Sequence, residues 1–416
     1  MDTIIIISHS NYRIKSAGVE KYIGDITPLL NKNNYQVVQI FPVIEVNKFS
    51  KKFKSSLEYV GININGNFEG IFNEKKLYES LNFLSQKYEF NYKGILLNHL
   101  HGWNLDSLEK TLSRLNLLIN IFIHDYEMIC ENTLKTDGNG EKCRVSISKP
   151  EYSKCEACKY GWNSLLQYKR NNNFLECISD MIVKVVAPSE IARKVWIDSF
   201  KKYENKSKVR PHTKYFGTYK KLHTNSKIRI AYLGSISEHK GYKEWCDLVK
   251  QLDTNQYELY YFGKNDITMN NVRKVFVDFQ SGSNMIEELR RHNIDIVFLW
   301  SKSLETYCYT YYEAYCSGCY IITNNYSGNI AYEVLNNTSG KVFETLKDSI
   351  IFFKNTTQIK TILENQINRS FPLELLENDD IDDLTFDNQK KYAIDKVYKK
   401  RNKLLSIIYN TLRGGY

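Results

Sequence analysis

Short apolar runs alternate with amphipathic helical patterns along this chain, and the same alternation restarts after a basic break. That doubling constrains the fold more than any other feature. Thr3-Ile4-Ile5-Ile6-Ile7-Ser8 reads as a buried strand, and residues 18–30 carry apolar groups at helical spacing (Val19, Tyr22, Ile23, Ile26, Leu29, Leu30). Strands follow at Tyr35–Phe41, Gly94–Asn98, Leu117–His124 and Met181–Ala187, with helices expected around 74–88, 105–115, 162–179 and from Glu190. The second cycle has strands at Ile228–Leu233, Tyr257–Phe262, Val272–Val277, Ile294–Leu299 and Cys319–Thr323, and a helix at 241–252. Strands alternating with helices predict a parallel sheet covered on both faces, here twice over: an α/β chain of two doubly wound domains.

The length fits this reading, because 416 residues exceed the size at which one core keeps growing. Residues 1–215 are expected to form a first domain carrying a cysteine-rich insert at 130–160. Residues 216–385 form a second domain, and a C-terminal helix within 386–416 (Asn388 to Leu412) packs back on the first. The longest apolar runs, Ile4–Ile7 and Ile119–Ile123, are too short to span a bilayer. No basic region followed by an apolar segment and a cleavage site opens the sequence, so a cytoplasmic protein, or one held at the inner membrane surface, is expected.

The net charge of +10 is localised. Residues 191–230 hold 12 Lys or Arg against 2 Asp or Glu, hence +10, while the flanking segments give 23 − 21 = +2 and 22 − 24 = −2. Such a band suits attraction to an anionic membrane surface, or serves equally as a solvated Lys-rich connector. No nucleic-acid recognition module accompanies it.

Two places carry chemistry. Glu305 follows the strand Ile294–Trp300, and Glu313 lies in the next helix with seven residues between them. Ligands of open parallel sheets bind outside the carboxyl ends of strands. Two carboxylates read as lacking a basic neighbour would accept hydrogen bonds from a hydroxyl-rich ligand, a sugar or ribose. The second place is Leu233-Gly234-Ser235-Ile236-Ser237-Glu238-His239-Lys240-Gly241, where a strand meets a helix start. Backbone N–H groups and Lys240 there suit phosphate. Phosphate on one side and hydroxyls on the other describe a nucleotide sugar.

With these motifs the chain resembles the retaining GT-B fold glycosyltransferases of family 4. The shared features are the Glu305/Glu313 pair continued by Ala314 to Ile322, the Lys240-Gly241 loop, and Ser16-Ala17-Gly18-Val19-Glu20-Lys21-Tyr22 as an N-terminal glycine loop. The resemblance implies two Rossmann-like domains facing a cleft and transfer of a sugar from a UDP-, GDP- or dTDP-linked donor to a glycan or lipid-linked acceptor, as in surface-glycan synthesis. It implies that Glu305 holds donor hydroxyls, Glu313 the ribose, and Lys240 the diphosphate. Backbone groups around Thr306, Tyr309 and Thr310 would meet the phosphates. Gly18 would let the backbone approach the donor, and His124 would line the site beside the reacting sugar. Catalysis would need no cofactor. Ser235 stands where the family has an arginine, so either another residue, as from the Lys-rich connector, replaces it or donor binding is weaker; Ala17 replaces a glycine.

His99 and His101, at another strand end, are candidates for the acceptor side. Cys130, Cys143, Cys155 and Cys158 crowd one loop and are read either as a closed four-thiolate structural zinc site or as four free thiols. A GT-B epimerase or phosphorylase and a non-catalytic nucleotide-sugar or polyanion binder are the rival readings.

Overall fold

The structure, a computed structural model, describes residues 1–15, 17–43, 58–137, 140–143, 150–156, 158–221, 225–267, 269–278, 284–367, 369–386 and 409. The expected C-terminal helix at 388–412 lies outside the described residues, save Tyr409.

The first sheet has eight strands: β1 (Asp2–Ile7), β2 (Gln36–Pro42), β3 (Tyr59–Ile64), β4 (Asn67–Asn73), β5 (Asn91–Leu97), β6 (Ile119–Phe122), β7 (Ile182–Ala187) and β8 (Ser207–Val209). Their order is β4-β3-β2-β1-β5-β6-β7-β8. The run Ile4 to Ile7 is apolar throughout because β1 is covered on both sides. Ile5 and Ile7 pack with Leu81, Leu84, Leu108 and Leu112 of the helices Leu77–Tyr88 and Leu105–Leu115. Ile4 and Ile6 face Val19, Tyr22, Ile23 and Ile26 of the helix Gly18–Lys32. Ile4, Ile5, Ile6 and Ile7 are each at most 1% exposed, so truncation of one to alanine should cost about 2–5 kcal/mol.

One edge departs from the all-parallel expectation: β2, β3 and β4 pair antiparallel. The β3–β4 turn is Asn65-Gly66, both at positive φ (49° and 83°), the conformation that a two-residue hairpin needs and that Asn-Gly supplies.

Two short pairings join the halves. β9 (Thr213–Phe216) and β10 (Tyr219–Lys220) lie in the expected connector and take partners from the far end of the chain, β18 (Glu374–Glu377) and β17 (Ser370–Phe371). Between them in sequence comes the second sheet: β11 (Ile228–Leu233), β12 (Tyr257–Phe262), β13 (Val272–Val275), β14 (Ile296–Phe298), β15 (Tyr320–Asn324) and β16 (Gly340–Phe343), parallel and ordered β13-β12-β11-β14-β15-β16.

The basic band is not a solvated tether. Arg193, Lys201, Lys202, Lys208, Lys214, Lys221 and Arg229 each pair with a carboxylate, and the Lys221–Asp295 pair (2.9 Å) is buried. The acid-rich residues 379–386, expected to close the second domain, instead strap back onto the first sheet. Asp383 is 1% exposed and takes both Lys184 and Lys208, and Asn120 donates to its carbonyl. Leu384 and Phe386 enter the core beside Ile4 and Tyr22. Unlike charges and apolar side chains together draw residues 380–386 across.

Candidate functional site

In both sheets the strand order reverses beside the first strand of the unit, between β1 and β5 and between β11 and β14. Ligand crevices form at such switch points, outside the carboxyl ends of the strands. Here the two switch points face one cavity of about 450 Å³. Its first wall holds His9, Ala17, Gly18, Glu20, His124, Asp125 and His212. The opposite wall holds Gly234, Ser235, Lys240, Ser301, Ser303, Glu305, Thr306, Tyr309 and Thr310.

Two helix N-termini meet at this cavity. The helix Gly18–Lys32 starts after Ala17, and the helix Tyr309–Cys316 after Cys308; neither N-cap residue offers a side-chain hydrogen bond to the first turn. Uncapped first-turn N–H groups and the positive dipole end favour an anion. A Cβ on Gly18 would meet nothing within 4 Å, so the backbone there borders open space.

Glu305 differs from its sequence reading. It has a basic partner: Lys240 Nζ donates to Glu305 Oε1 at 2.8 Å, and Ser301 and Ser303 hydroxyls donate to the same oxygen at 2.6 and 2.9 Å. Burial would raise the Glu305 carboxyl, yet Lys240 and the two serines hold it below the ordinary carboxylate range. Burial works against the Lys240 charge in turn, and Glu305 restores it, leaving the ammonium above its ordinary value. The backbone around the pair depends on glycine. Gly241 has φ 80°, and a Cβ on it would stand 2.1 Å from the Trp300 carbonyl oxygen. Gly328 has φ 61°, with Glu305 backbone atoms 2.5 Å from where its Cβ would be.

Glu313 is half-buried and does not line the cavity. Burial pushes its carboxyl up to about 7, against the pull of Lys21. Thr306 lines the cavity but is engaged across it: its hydroxyl donates to the His124 carbonyl (2.5 Å), and its carbonyl accepts from Ser189 (2.7 Å). Ser235 is exposed at the cavity edge, and Lys240 is the only lysine or arginine among the described lining residues. The connector contributes His212, not a cation. Burial, followed by the neighbouring His124, keeps the His212 ring well below the ordinary histidine range, and it packs between Tyr22 (4.7 Å) and Tyr307 (4.5 Å).

On the first wall, His124 Nε2 donates to Asn98 Oδ1 (2.8 Å); burial and then the charge of His99 bring its pKa down to about 3. His99 and His101 do not line the cavity. His99 lies behind the wall, 4% exposed, with Nε2 3.2 Å from Asp125 and Nδ1 3.6 Å from Glu127. The His101 amide hydrogen points at the same Nδ1 (3.0 Å), a geometry that suits a neutral ring. Burial opposes the charge too. Two flanking carboxylates left uncompensated in the interior would cost more than one weakened amide contact, so the ring is protonated, raised to about 9.

The sequence reading passed over His9, Glu20, Asp125, His212, Ser301 and Ser303. His9 lies two residues past β1 and Asp125 three past β6, so the strand-end rule that found Glu305 would have found both. Thr133 and Leu134, at the start of the cysteine-bearing insert, also line the cavity. Leu304 N–H donates to the Leu134 carbonyl (3.1 Å), which ties the insert to the opposite wall.

Cys130 and Cys155 are buried, and Cys143 and Cys158 half-buried. The Cys130 sulfur lies 3.1 Å from the Ser164 hydroxyl. Burial, with Cys130 and Cys158 nearby, raises the Cys155 thiol. Among the described residues no three His, Cys, Asp or Glu side chains are grouped to hold a metal ion.

No family model matches the sequence, and no curated protein matches it. Solved structures do. Sucrose-phosphate synthase from Thermosynechococcus elongatus superposes with a TM-score of 0.54 at 12% identity, over 88% of this chain and 93% of that one. WaaG, a glycosyltransferase involved in lipopolysaccharide biosynthesis, gives 0.52 at 8% identity, over 87% and 93%. Anabaena HepE, crystallised in complex with UDP, gives 0.51 at 13% identity, over 88% and 93%. With its two doubly wound sheets facing one cleft, the chain has the GT-B fold.

Proposed function

We propose that this protein is a glycosyltransferase of the family 4 type that moves a sugar from a nucleotide-sugar donor to an acceptor hydroxyl with retention, in the synthesis of a surface glycan. The observation that carries the reading is one cavity holding the Lys240–Glu305 pair between two uncapped helix N-termini. The donor diphosphate is anionic, and its charge grows as the bond to the sugar breaks. Fixed positive ends aimed at that charge are worth more in the transition state than in the ground state. Lys240 and the first turn of the helix Tyr309–Cys316, with Tyr309 and Thr310, take the diphosphate, so neutralisation is assigned to them and not to a divalent metal. The three hydrogen bonds to Glu305 all fall on Oε1, which leaves Oε2 as the oxygen for a donor hydroxyl. Glu305 thereby serves twice, keeping Lys240 charged and in place while meeting the sugar. Gly18 borders the donor from the first wall, and His124, held neutral, lies beside the reacting sugar. The acceptor hydroxyl gives its proton to a departing phosphate oxygen. Glu313 meets the ribose only if that end of the ligand reaches beyond the cavity.

Thermal-shift titration with UDP, GDP and dTDP tests this reading, since a bound nucleotide stabilises the fold by mass action. One nucleotide should raise the unfolding temperature in wild type and fail to do so in Lys240→Ala. No shift with any of them defeats the donor reading. A binder without turnover, or an epimerase, would show the shift but transfer no sugar.

Two further expectations stand as proposals. Structural zinc at Cys130, Cys143, Cys155 and Cys158 rests on their spacing in sequence alone; metal analysis of purified protein decides it, one zinc per chain supporting it and none defeating it. Membrane attachment through 191–230 has weak support, because most of those charges are paired within the fold. Among the described residues, no helix is long and apolar enough to cross a membrane. Sedimentation with anionic vesicles at low salt tests surface attachment.

A further inference from the structure

The first wall of the cleft contains a carboxylate that the donor reading does not use. Glu20 sits in the first turn of the helix Gly18–Lys32, 3% exposed, and lines the cavity. One oxygen, Oε1, is engaged by the Ser10 hydroxyl and by His9 Nε2 at 3.3 Å. The other, Oε2, has no hydrogen-bond partner among the described residues, and neither has Nδ1 of His9. A buried carboxylate oxygen without a donor is costly, and native structures keep such atoms where something else supplies the donor.

The chemistry of what would supply it follows from the protonation of His9. Its ring lies 4.3 Å from that of His99. Burial, then the charge of His99, brings the pKa of His9 down to about 3, with Lys15 acting in the same sense and Asp125 against it. The ring is therefore neutral. Because Nε2 faces a carboxylate it carries the hydrogen, and Nδ1 is left able only to accept. Asp125 lines the same wall with its side chain 31% exposed, and despite burial His99 holds its carboxyl below the ordinary range. Glu20 Oε2, His9 Nδ1 and Asp125 are thus acceptors only, on the side of the cavity away from Lys240. A phosphate or carboxylate would meet Glu20 and Asp125 there, and the positive end of the helix Gly18–Lys32 already has Glu20 in its first turn. An uncharged polyol brings donors to all three.

We propose that Glu20, positioned by His9 and Ser10, binds hydroxyls of the acceptor, and that the acceptor group entering this wall is an uncharged sugar and not a phosphorylated one. The inference rests on the transferase reading for the word acceptor, but its test does not depend on a nucleotide. Saturation-transfer NMR with a panel of methyl hexopyranosides and the matching hexose 6-phosphates, with and without UDP, is run on wild type, Glu20→Gln and His9→Gln, with thermal unfolding as the check on folding. At least one neutral glycoside should bind wild type, and its 6-phosphate should bind at least tenfold more weakly. Glu20→Gln should weaken the glycoside about tenfold, the size of one lost charge-assisted hydrogen bond, while the UDP affinity stays within about twofold. If Glu20→Gln does not fold, His9→Gln reads the same loss through the misplaced carboxylate. Equal glycoside binding by wild type and the folded variants overturns the assignment. So does preference for the 6-phosphate, or absence of glycoside binding to wild type. Failure of UDP, GDP and dTDP alike to bind wild type defeats the donor reading alone, because the titration without nucleotide still decides Glu20.

Discussion

The two walls of the cleft are built on opposite electrostatic plans. The second-sheet wall presents donors, the ammonium of Lys240 and an uncapped helix start, with Glu305 as the carboxylate that holds Lys240 and takes the hydrogens of Ser301 and Ser303. The first-sheet wall has acceptors at Glu20, His9 and Asp125 beside the helix start at Gly18, and the protonated His99 is hidden behind the surface between Asp125 and Glu127. One wall suits an anion and the other a hydroxyl. A transfer reaction between a phosphate-linked sugar and an alcohol needs that asymmetry, because charge leaves on one side while a neutral nucleophile arrives on the other.

The largest effect should come from removing the cation of the donor wall. Lys240→Ala should lower kcat/KM for the donor by roughly 10²–10³, the cost of losing one preorganised group that meets developing charge. A loss under tenfold would mean that the diphosphate lies elsewhere and would break the contrast between the walls.

His99→Gln probes the acceptor wall and should cost about 3 kcal/mol of stability at pH 6, because it strips the counter-charge from the buried Glu127 and the half-buried Asp125. The sign with pH follows from the raised pKa. The protonated ring stabilises the fold fully below its unfolded value of 6.5, and that contribution fades as pH rises through about 9. Denaturant titrations should therefore show the wild-type advantage shrinking between pH 6 and pH 9.5. A constant gap would mean that the ring is neutral, as the His101 amide contact taken alone would have it.

Thr306→Val tests whether the walls need each other. It removes the hydroxyl that reaches the His124 carbonyl and leaves that carbonyl unpaired, at a cost of about 1.5 kcal/mol. Equal stability of variant and wild type would show that the bond across the cleft is incidental.

The smallest change concerns Glu313. Its raised pKa means that the fold penalises the ionised form, so stability falls as pH rises from 4.5 to about 7. Glu313→Gln should leave stability unchanged at pH 4 and raise it by about 1 kcal/mol at pH 8. An unfolding temperature at pH 8 no higher than that of wild type would place the carboxylate in water.

Much of the fold was legible in sequence because β1, β11 and β12 are buried on both faces along most of their length and so are mostly apolar. Their bounds follow from the apolar runs to within a residue. The antiparallel edge was not read from the sequence, although Asn65-Gly66 is the kind of two-residue turn that joins such a pair. The strap at 380–386 was not legible, since a run of aspartates gives no sign of which lysines it will meet; Lys184 and Lys208 are about 200 and 175 positions away. In the site, Glu305, Lys240, Gly18, His124, Ser235, Thr306, Tyr309 and Thr310 line the cavity as expected of strand ends and helix starts. The ion pair between Lys240 and Glu305 was missed because 65 positions of sequence separate them.

What the sequence determined by itself is the periodicity, and with it two covered sheets whose strand ends carry the chemistry. Tertiary structure decided which charges face which. It paired Glu305 with Lys240, took Glu313 out of the cavity, set His99 behind the wall and left Glu20 with an unfilled oxygen. Burial and distance govern a titratable group, and neither is written along the chain.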